Sequence, residues 1–183
     1  EPDHATDLDA LEERLGYAFE DRGLLVRALT HRSYANEMEG NARDNQRLEF
    51  LGDAVLGLVT AEELFRRDRE VDEGALSSRQ AQIVCEPALA PLATSMGLGE
   101  YLRLGKGEAQ SGGRTKSSLL ADAFEAVLAA IYLDGGIEPV RAVILEHMGD
   151  VLQDVRSTPA PADYKSRLQA LVQRERDIQP AYR

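Results

Sequence analysis

Tryptophan is absent, aromatic residues make up only 5% of the 183, and cysteine occurs once, at Cys85. A single thiol excludes an internal disulfide framework and fits a reducing compartment. Histidine is scarce as well. His4, His31 and His147 are scattered, and with one cysteine they offer no zinc site. The apolar residues, 43% of the chain, are mostly Leu and Ala rather than aromatic or β-branched, which favours helices over sheet. No apolar run reaches the about 18 to 20 residues of a membrane span. The polar start, EPDHATDLDA, is not a signal peptide. A cytoplasmic protein without a membrane partner is expected.

The length allows one core-forming domain and a smaller appendage. Net charge is −11, from 32 acidic and 21 basic residues. Taken alone, that argues against nucleic acid, because phosphate contacts need a basic face. Acidic residues gathered around metal ions would inflate the count, however, and the charge is uneven. From Asp163 to Arg183 there are five basic residues against three acidic ones.

Helical spacing marks Leu8, Leu11 and Leu15, with Gly16 as the stop. A second short helix follows Asp21, a candidate N-cap. The polar stretch from His31 to Asp44 reads as a loop. A long apolar helix runs from about Asn45 to Arg67. Asp72-Glu73-Gly74 turns into another helix, and Pro87 and Pro91 bracket or open the next. The Gly-rich stretch 98–113 reads as loop. Ser117 or Ser118 should cap a further helix that ends at Asp134-Gly135-Gly136, and Ile137 to Val155 supplies the last one. No alternating strand pattern occurs before residue 157, so this part is expected to be all-α. Pro159 and Pro161 mark 157–163 as a linker. Beyond it, Leu168, Leu171 and Val172 form the apolar face of a new amphipathic helix.

Two helices carry carboxylates where the pattern asks for apolar residues. In RLEFLGDAVLGL (47–58), Glu49 and Asp53 stand four apart. In SLLADAFEAVLAAIYL (118–133), Asp122 and Glu125 stand three apart. Each spacing places its pair on one helix face. Such pairs ordinarily belong to solvated surfaces. Here the neighbours are apolar, and a carboxylate among them is costly to bury unless something cationic meets it. Few Lys or Arg lie nearby on either segment, so a shared metal ion is the simplest partner. Gly52 lies mid-helix beside Asp53, where glycine costs about 1 kcal/mol of propensity; a close approach of another backbone would explain it. A di-iron bundle needs Glu-x-x-His, and that spacing occurs only at Glu1 and His4 in a Pro-broken terminus. Gly105-Lys106-Gly107 lacks the glycine and hydroxyl residue of a phosphate loop.

NQRLEFLGDAVL (45–56) resembles the signature helix of the bacterial ribonuclease III family. LTHRSYANE (29–37), VDEG (71–74) and LGKGEAQSGGRTKSSLLADAFEA (104–126) resemble its other landmarks in the same order, and DYKSRLQAL (163–171) is similar to the start of the double-stranded-RNA-binding domain that follows the nuclease domain. The resemblance implies a helical catalytic domain at 1–156, the linker at 157–163, and at 164–183 the first helix of an α-β-β-β-α binding domain. It implies that Glu49, Asp53, Asp122 and Glu125 hold metal, with Asp53 and Glu125 the least replaceable, and that Glu73 is an accessory acid near the partner subunit's centre. Phe50 would plug a pocket across a homodimer interface. Ser166 and Gln169 would reach the RNA minor groove, where 2′-hydroxyls distinguish RNA from DNA. Four carboxylates are hard oxygen ligands suited to Mg²⁺, with Mn²⁺ as a substitute.

The implied activity is an endoribonuclease that cuts double-stranded RNA to 5′-phosphate and 3′-hydroxyl ends with a short 3′ overhang. Its implied substrates are ribosomal RNA precursors and structured messenger RNAs. The alternatives are a non-cleaving RNA-binding module of the same fold and a helical metal-storage bundle. Two positions depart from the family pattern. Gln46 stands where many relatives have Glu, so it cannot be an anionic ligand, and Ala170 replaces a frequent Glu. His31, Arg32 and Arg47 are open between phosphate or carboxylate orientation and plain capping or pairing. Arg114 and Lys116, beside a helix start, suit either phosphate or solvated charge.

Overall fold

In a computed structural model, residues 8–38 and 43–157 are described. They form ten α-helices and a short 3₁₀ turn at Gly113–Thr115. Among them no strand forms; the single bridge pairs Thr30 with Arg103. The helices are α1 (Leu8–Leu15), α2 (Arg22–Ala28), α3 (Arg32–Glu37), α4 (Gln46–Arg67), α5 (Glu73–Ile83), α6 (Glu86–Ser95), α7 (Leu98–Tyr101), α8 (Lys106–Gln110), α9 (Ser117–Gly135) and α10 (Ile137–Ser157). The all-α expectation holds for this part. The second-domain helix, with Ser166 and Gln169, lies outside the described residues, and α10 continues through Ser157, where the linker was expected to begin.

The core is built around α9. From Leu119 to Ile131 every residue is buried except Asp122 and Glu125. A helix apolar on all sides belongs in a core, and here alanine makes that possible. Ala121, Ala123, Ala126, Ala129 and Ala130 are small enough for neighbours to close in from several directions. Helices α4, α6, α2 and α10 all pack on α9, with α4 in the most extensive contact. Leu48, Val55, Leu56, Val59 and Leu64 form the inner face of α4.

The tightest point of that contact is Gly52. A Cβ there would overlap the backbone carbonyl of Glu125. No rotamer change could relieve this, because the obstacle is main chain. The glycine inside α4 is therefore a spacing device, and it sits between Glu49 and Asp53 of its own helix.

The expected caps at Asp21 and Asp72 form. Asp21 accepts from Gly23 N at 2.8 Å and Asp72 from Ala75 N at 2.8 Å. Gly16 ends α1 at φ +72°, a left-handed conformation that favours glycine. At the far end of α9, Asp134 accepts from Tyr17 Oη (2.7 Å), Glu20 N (2.9 Å) and Asp21 N (2.9 Å). Burial, followed by the nearby Asp134, pushes the Tyr17 hydroxyl up to about 12.

Two stretches read as loop contain helices. In 31–44, α3 begins at His31, whose Nδ1 accepts from Ser33 N at 3.2 Å. In 98–113 lie α7 and α8. These helices span four to six residues, too short to carry a periodic signal, and distant contacts hold them. Ser33 Oγ accepts from Gly105 N (2.9 Å), and Glu37 accepts from Lys106 N (3.0 Å). Arg103 stacks 4.5 Å from the Tyr34 ring centroid and donates to its hydroxyl at 2.9 Å. The start of α9 also differs from expectation. Lys116 is the N-cap and no side chain caps the helix, with Ser117 already its first residue.

Gly52→Ala gains roughly 1 kcal/mol of helix propensity but forces α4 off α9. A net stability loss of about 1–3 kcal/mol is expected from overpacking, read as a lower urea midpoint at unchanged slope.

Candidate active site

The contact at Gly52 sets the carboxylates. On α4, Glu49 is half-buried and Asp53 exposed one turn later. Across the contact, Asp122 and Glu125 are half-buried, and they are the two breaks in the buried run of α9. The electrostatics show that the four share one neighbourhood. Burial first, then Asp53, Asp122 and Glu49, push the Glu125 carboxyl up to about 8. Glu49 is raised by burial and then by Asp122. Asp122 is raised by burial and then by Glu86, while His31 and Lys116 act in the opposite sense. Among the described residues, no three Asp, Glu, His or Cys groups converge tightly enough to form a finished ion cage. The arrangement is an open acidic cluster fixed by two rigid helices.

Its donor set suits a metal ion. All four groups are carboxylates, and a half-buried glutamate that burial, and then its acidic neighbours, push up to about 8 marks a place short of positive charge. Hard oxygen donors of this kind fit Mg²⁺ or Mn²⁺ and not a soft metal.

The remaining expected residues are spread around the cluster. Glu73 is exposed at the first position of α5, and its Oε1 accepts from Ser77 Oγ at 2.9 Å. Phe50 is 81% exposed, so it is not a core residue of this protomer. Leu58 and Phe65, 58% and 72% exposed, lie almost in line on α4 and about a fifth of a turn round from Phe50, so the three share one outward side. Gln46 and Arg47 are exposed. Arg114 is committed to structure, donating from one nitrogen to the carbonyls of Gly99 (2.9 Å), Glu100 (3.0 Å) and Leu102 (2.9 Å); it closes the end of α7. Lys116 Nζ lies 3.6 Å from Glu108 Oε1. Reasoning from sequence missed Glu86, at the start of α6, as part of the field on Asp122. No local pattern distinguishes it from an ordinary first-turn acid.

The Ribonuclease-III-like family model matches residues 21–151, and the chain belongs to the ribonuclease III family. It is 51% identical over 166 residues to Ribonuclease 3 of Caldanaerobacter subterraneus subsp. tengcongensis, covering 91% of this chain and 73% of that protein. To Ribonuclease 3 of Pelotomaculum thermopropionicum it is 47% identical over 182 residues, covering 99% and 76%. The crystal structure of the nuclease domain of ribonuclease III from Campylobacter jejuni superimposes with a TM-score of 0.73 at 39% identity, covering 79% of this chain and 95% of that one. A second structure of that nuclease domain concerns flexibility in a region involved in its dimer formation, with TM-score 0.73 and 40% identity, covering 78% and 96%. The chain is accordingly an endoribonuclease.

The raised Glu125 has a consequence for stability. Between about 4.5, the ordinary value, and about 8, the folded metal-free protein binds more protons than the unfolded chain. Stability from this group is therefore present at low pH and falls as pH rises through that window. Glu125→Gln should melt higher than wild type at pH 8.5 without divalent ions, with the difference shrinking toward pH 4.5. Thermal melts across pH in chelator measure it.

Proposed function

We propose that the chain is a Mg²⁺-dependent endoribonuclease that cuts both strands of double-stranded RNA as a homodimer in the cytoplasm, processing ribosomal RNA precursors and structured messenger RNAs. The observation that carries this reading is the pairing of Glu49 and Asp53 with Asp122 and Glu125 across the Gly52 contact, with Glu125 raised to about 8. Glu49, Asp53, Asp122 and Glu125 would hold the ion. A bound divalent cation supplies the positive charge the cluster lacks, stabilising the phosphorane-like transition state and lowering the pKa of bound water. Hydrolysis adds a water oxygen to phosphorus and breaks the P–O3′ bond. One proton ends on the departing 3′ oxygen, which gives 5′-phosphate and 3′-hydroxyl termini.

The protein's own part is rigidity and charge. The two helices fix the spacing between acid pairs, and Glu125 would be one of the groups that hold the ion. Such preorganisation is where electrostatic catalysis gains most. One protomer has one acid cluster, so staggered cutting of two strands calls for two clusters related by a two-fold axis. Phe50, Leu58 and Phe65 supply an exposed apolar face for that contact, with Phe50 filling a pocket on the second copy and Glu73 reaching toward its centre. The catalytic domain spans 1–156, with 157–163 as linker and 164–183 opening the RNA-binding domain, where Ser166 and Gln169 touch RNA. Among the described residues, no helix is long and apolar enough to cross a membrane.

A labelled RNA duplex incubated with Mg²⁺ should yield fragments with 5′-phosphates and a short 3′ overhang. Glu125→Gln should fold and bind the duplex yet cleave it at least about 100-fold more slowly, the scale of losing a transition-state charge contact. Wild-type-like cleavage by that variant would refute the assignment. Phe50→Glu is expected to sediment as a monomer, while the wild type sediments as a dimer.

A further inference from the structure

His31 occupies a corner of the cluster that the carboxylates leave unexplained. Its backbone is pinned: His31 N donates to Arg103 O at 3.1 Å, and Arg103 N donates to Leu29 O at 2.8 Å. Its ring is pinned as well. Nδ1 accepts from Ser33 N at 3.2 Å and lies 2.8 Å from Ser33 Oγ. Ser33 Oγ already accepts from Gly105 N at 2.9 Å, so its own hydrogen is free to point to Nδ1. The contact from Ser33 N needs an unprotonated Nδ1. The proton of the neutral ring must then sit on Nε2, which has no hydrogen-bond partner among the described residues.

The surroundings give that N–H a direction of use. His31 follows closely on α2, which packs against α9, the helix that carries Asp122, and the charged groups acting on the ring are Glu108, Arg32, Asp122 and Lys116. Burial holds its pKa below the ordinary histidine value. Gly105 makes the arrangement possible, because a Cβ there would come within 2.7 Å of Ser33 O and also strike the Glu37 carboxylate. A fixed neutral donor with Arg32 and Lys116 nearby, on the rim of an otherwise acidic site, matches an anionic oxygen. In an RNA backbone that oxygen belongs to phosphate.

We propose that His31 donates a hydrogen bond from Nε2 to a non-bridging phosphate oxygen of the RNA strand seated at the carboxylate cluster, fixing the reacting phosphate relative to Asp122. This rests on the nuclease reading above. The ring has two separable duties: Nδ1 caps α3 and meets the Ser33 hydroxyl that holds the stretch before α8, and Nε2 holds substrate.

Two variants divide these duties. His31→Asn keeps an acceptor near Nδ1 and removes the distal N–H. His31→Gln places an amide N–H near Nε2 and removes the proximal acceptor. With an RNA duplex under single-turnover conditions, His31→Asn should melt like wild type and cleave about ten- to a hundredfold more slowly, the scale of a lost hydrogen bond to a charged group. His31→Gln should melt lower yet retain most of the cleavage rate. The specific readout is a duplex with sulfur replacing one non-bridging oxygen at the cut, assayed in Mn²⁺. Wild type should be slowed for one diastereomer, and His31→Asn should lose that penalty.

Wild-type cleavage by His31→Asn overturns the proposal. So does an undiminished sulfur penalty in that variant, or stability and activity falling together in both. Failure of the wild type itself to cut the duplex removes the nuclease reading underneath.

Discussion

The approach of α4 to α9 at Gly52 governs the rest of the molecule. Most helix pairs keep their backbones apart by the thickness of their side chains. Here one helix lacks a side chain where the other presents a carbonyl, and the alanines of α9 let the remaining neighbours follow. Two consequences come together. The core gains a tightly packed centre, and the residues flanking the contact, Glu49 and Asp53 on one helix and Asp122 and Glu125 on the other, are brought into one field. Packing and chemistry are not separate layers in this fold. The same glycine serves both.

The cluster is unfavourable by itself. Burial and like charge raise Glu125, Glu49 and Asp122 together, and the nearby positive groups are few. Arg114 is spent on three carbonyls, and Lys116 is shared with Glu108. Scaffold stability makes such local strain tolerable. Asp134 is bonded by Tyr17 and two backbone amides, and Arg79 pairs with Asp68 at 2.6 Å in a mostly buried setting. Those pairs satisfy their charges; the acidic cluster does not.

Much of this was legible in the chain. The long helices α4 and α9 declare themselves through apolar periodicity, and the acids that interrupt it are the acids of the cluster. Gly52 reads as a close approach from its place inside the helix alone. The caps at Asp21 and Asp72 follow from residue type and position. What stayed hidden depends on distant partners. The short helices α3, α7 and α8 have no periodicity of their own and rest on Ser33, Glu37, Arg103 and Arg114 bonding across the fold. The structural duty of Arg114 could not be told from phosphate binding without knowing where the carbonyls of α7 lie. Ser33, which pins the His31 ring, is itself held by Gly105, 72 positions away. Glu86 joins the field on Asp122 only because α6 packs on α9.

Glu49 and Asp53 lie along the seam between the buried side of α4 and its outward stripe of Phe50, Leu58 and Phe65. Covering that stripe with a second copy would draw water away from one flank of both acids. In the drier setting their mutual repulsion grows, and so does the pull of a divalent ion on them. Subunit association and ion uptake would then be thermodynamically reciprocal: ions would tighten the pair of subunits, and a lone subunit would hold its ions more weakly. Dilution alone would act as a brake on stray RNA cutting.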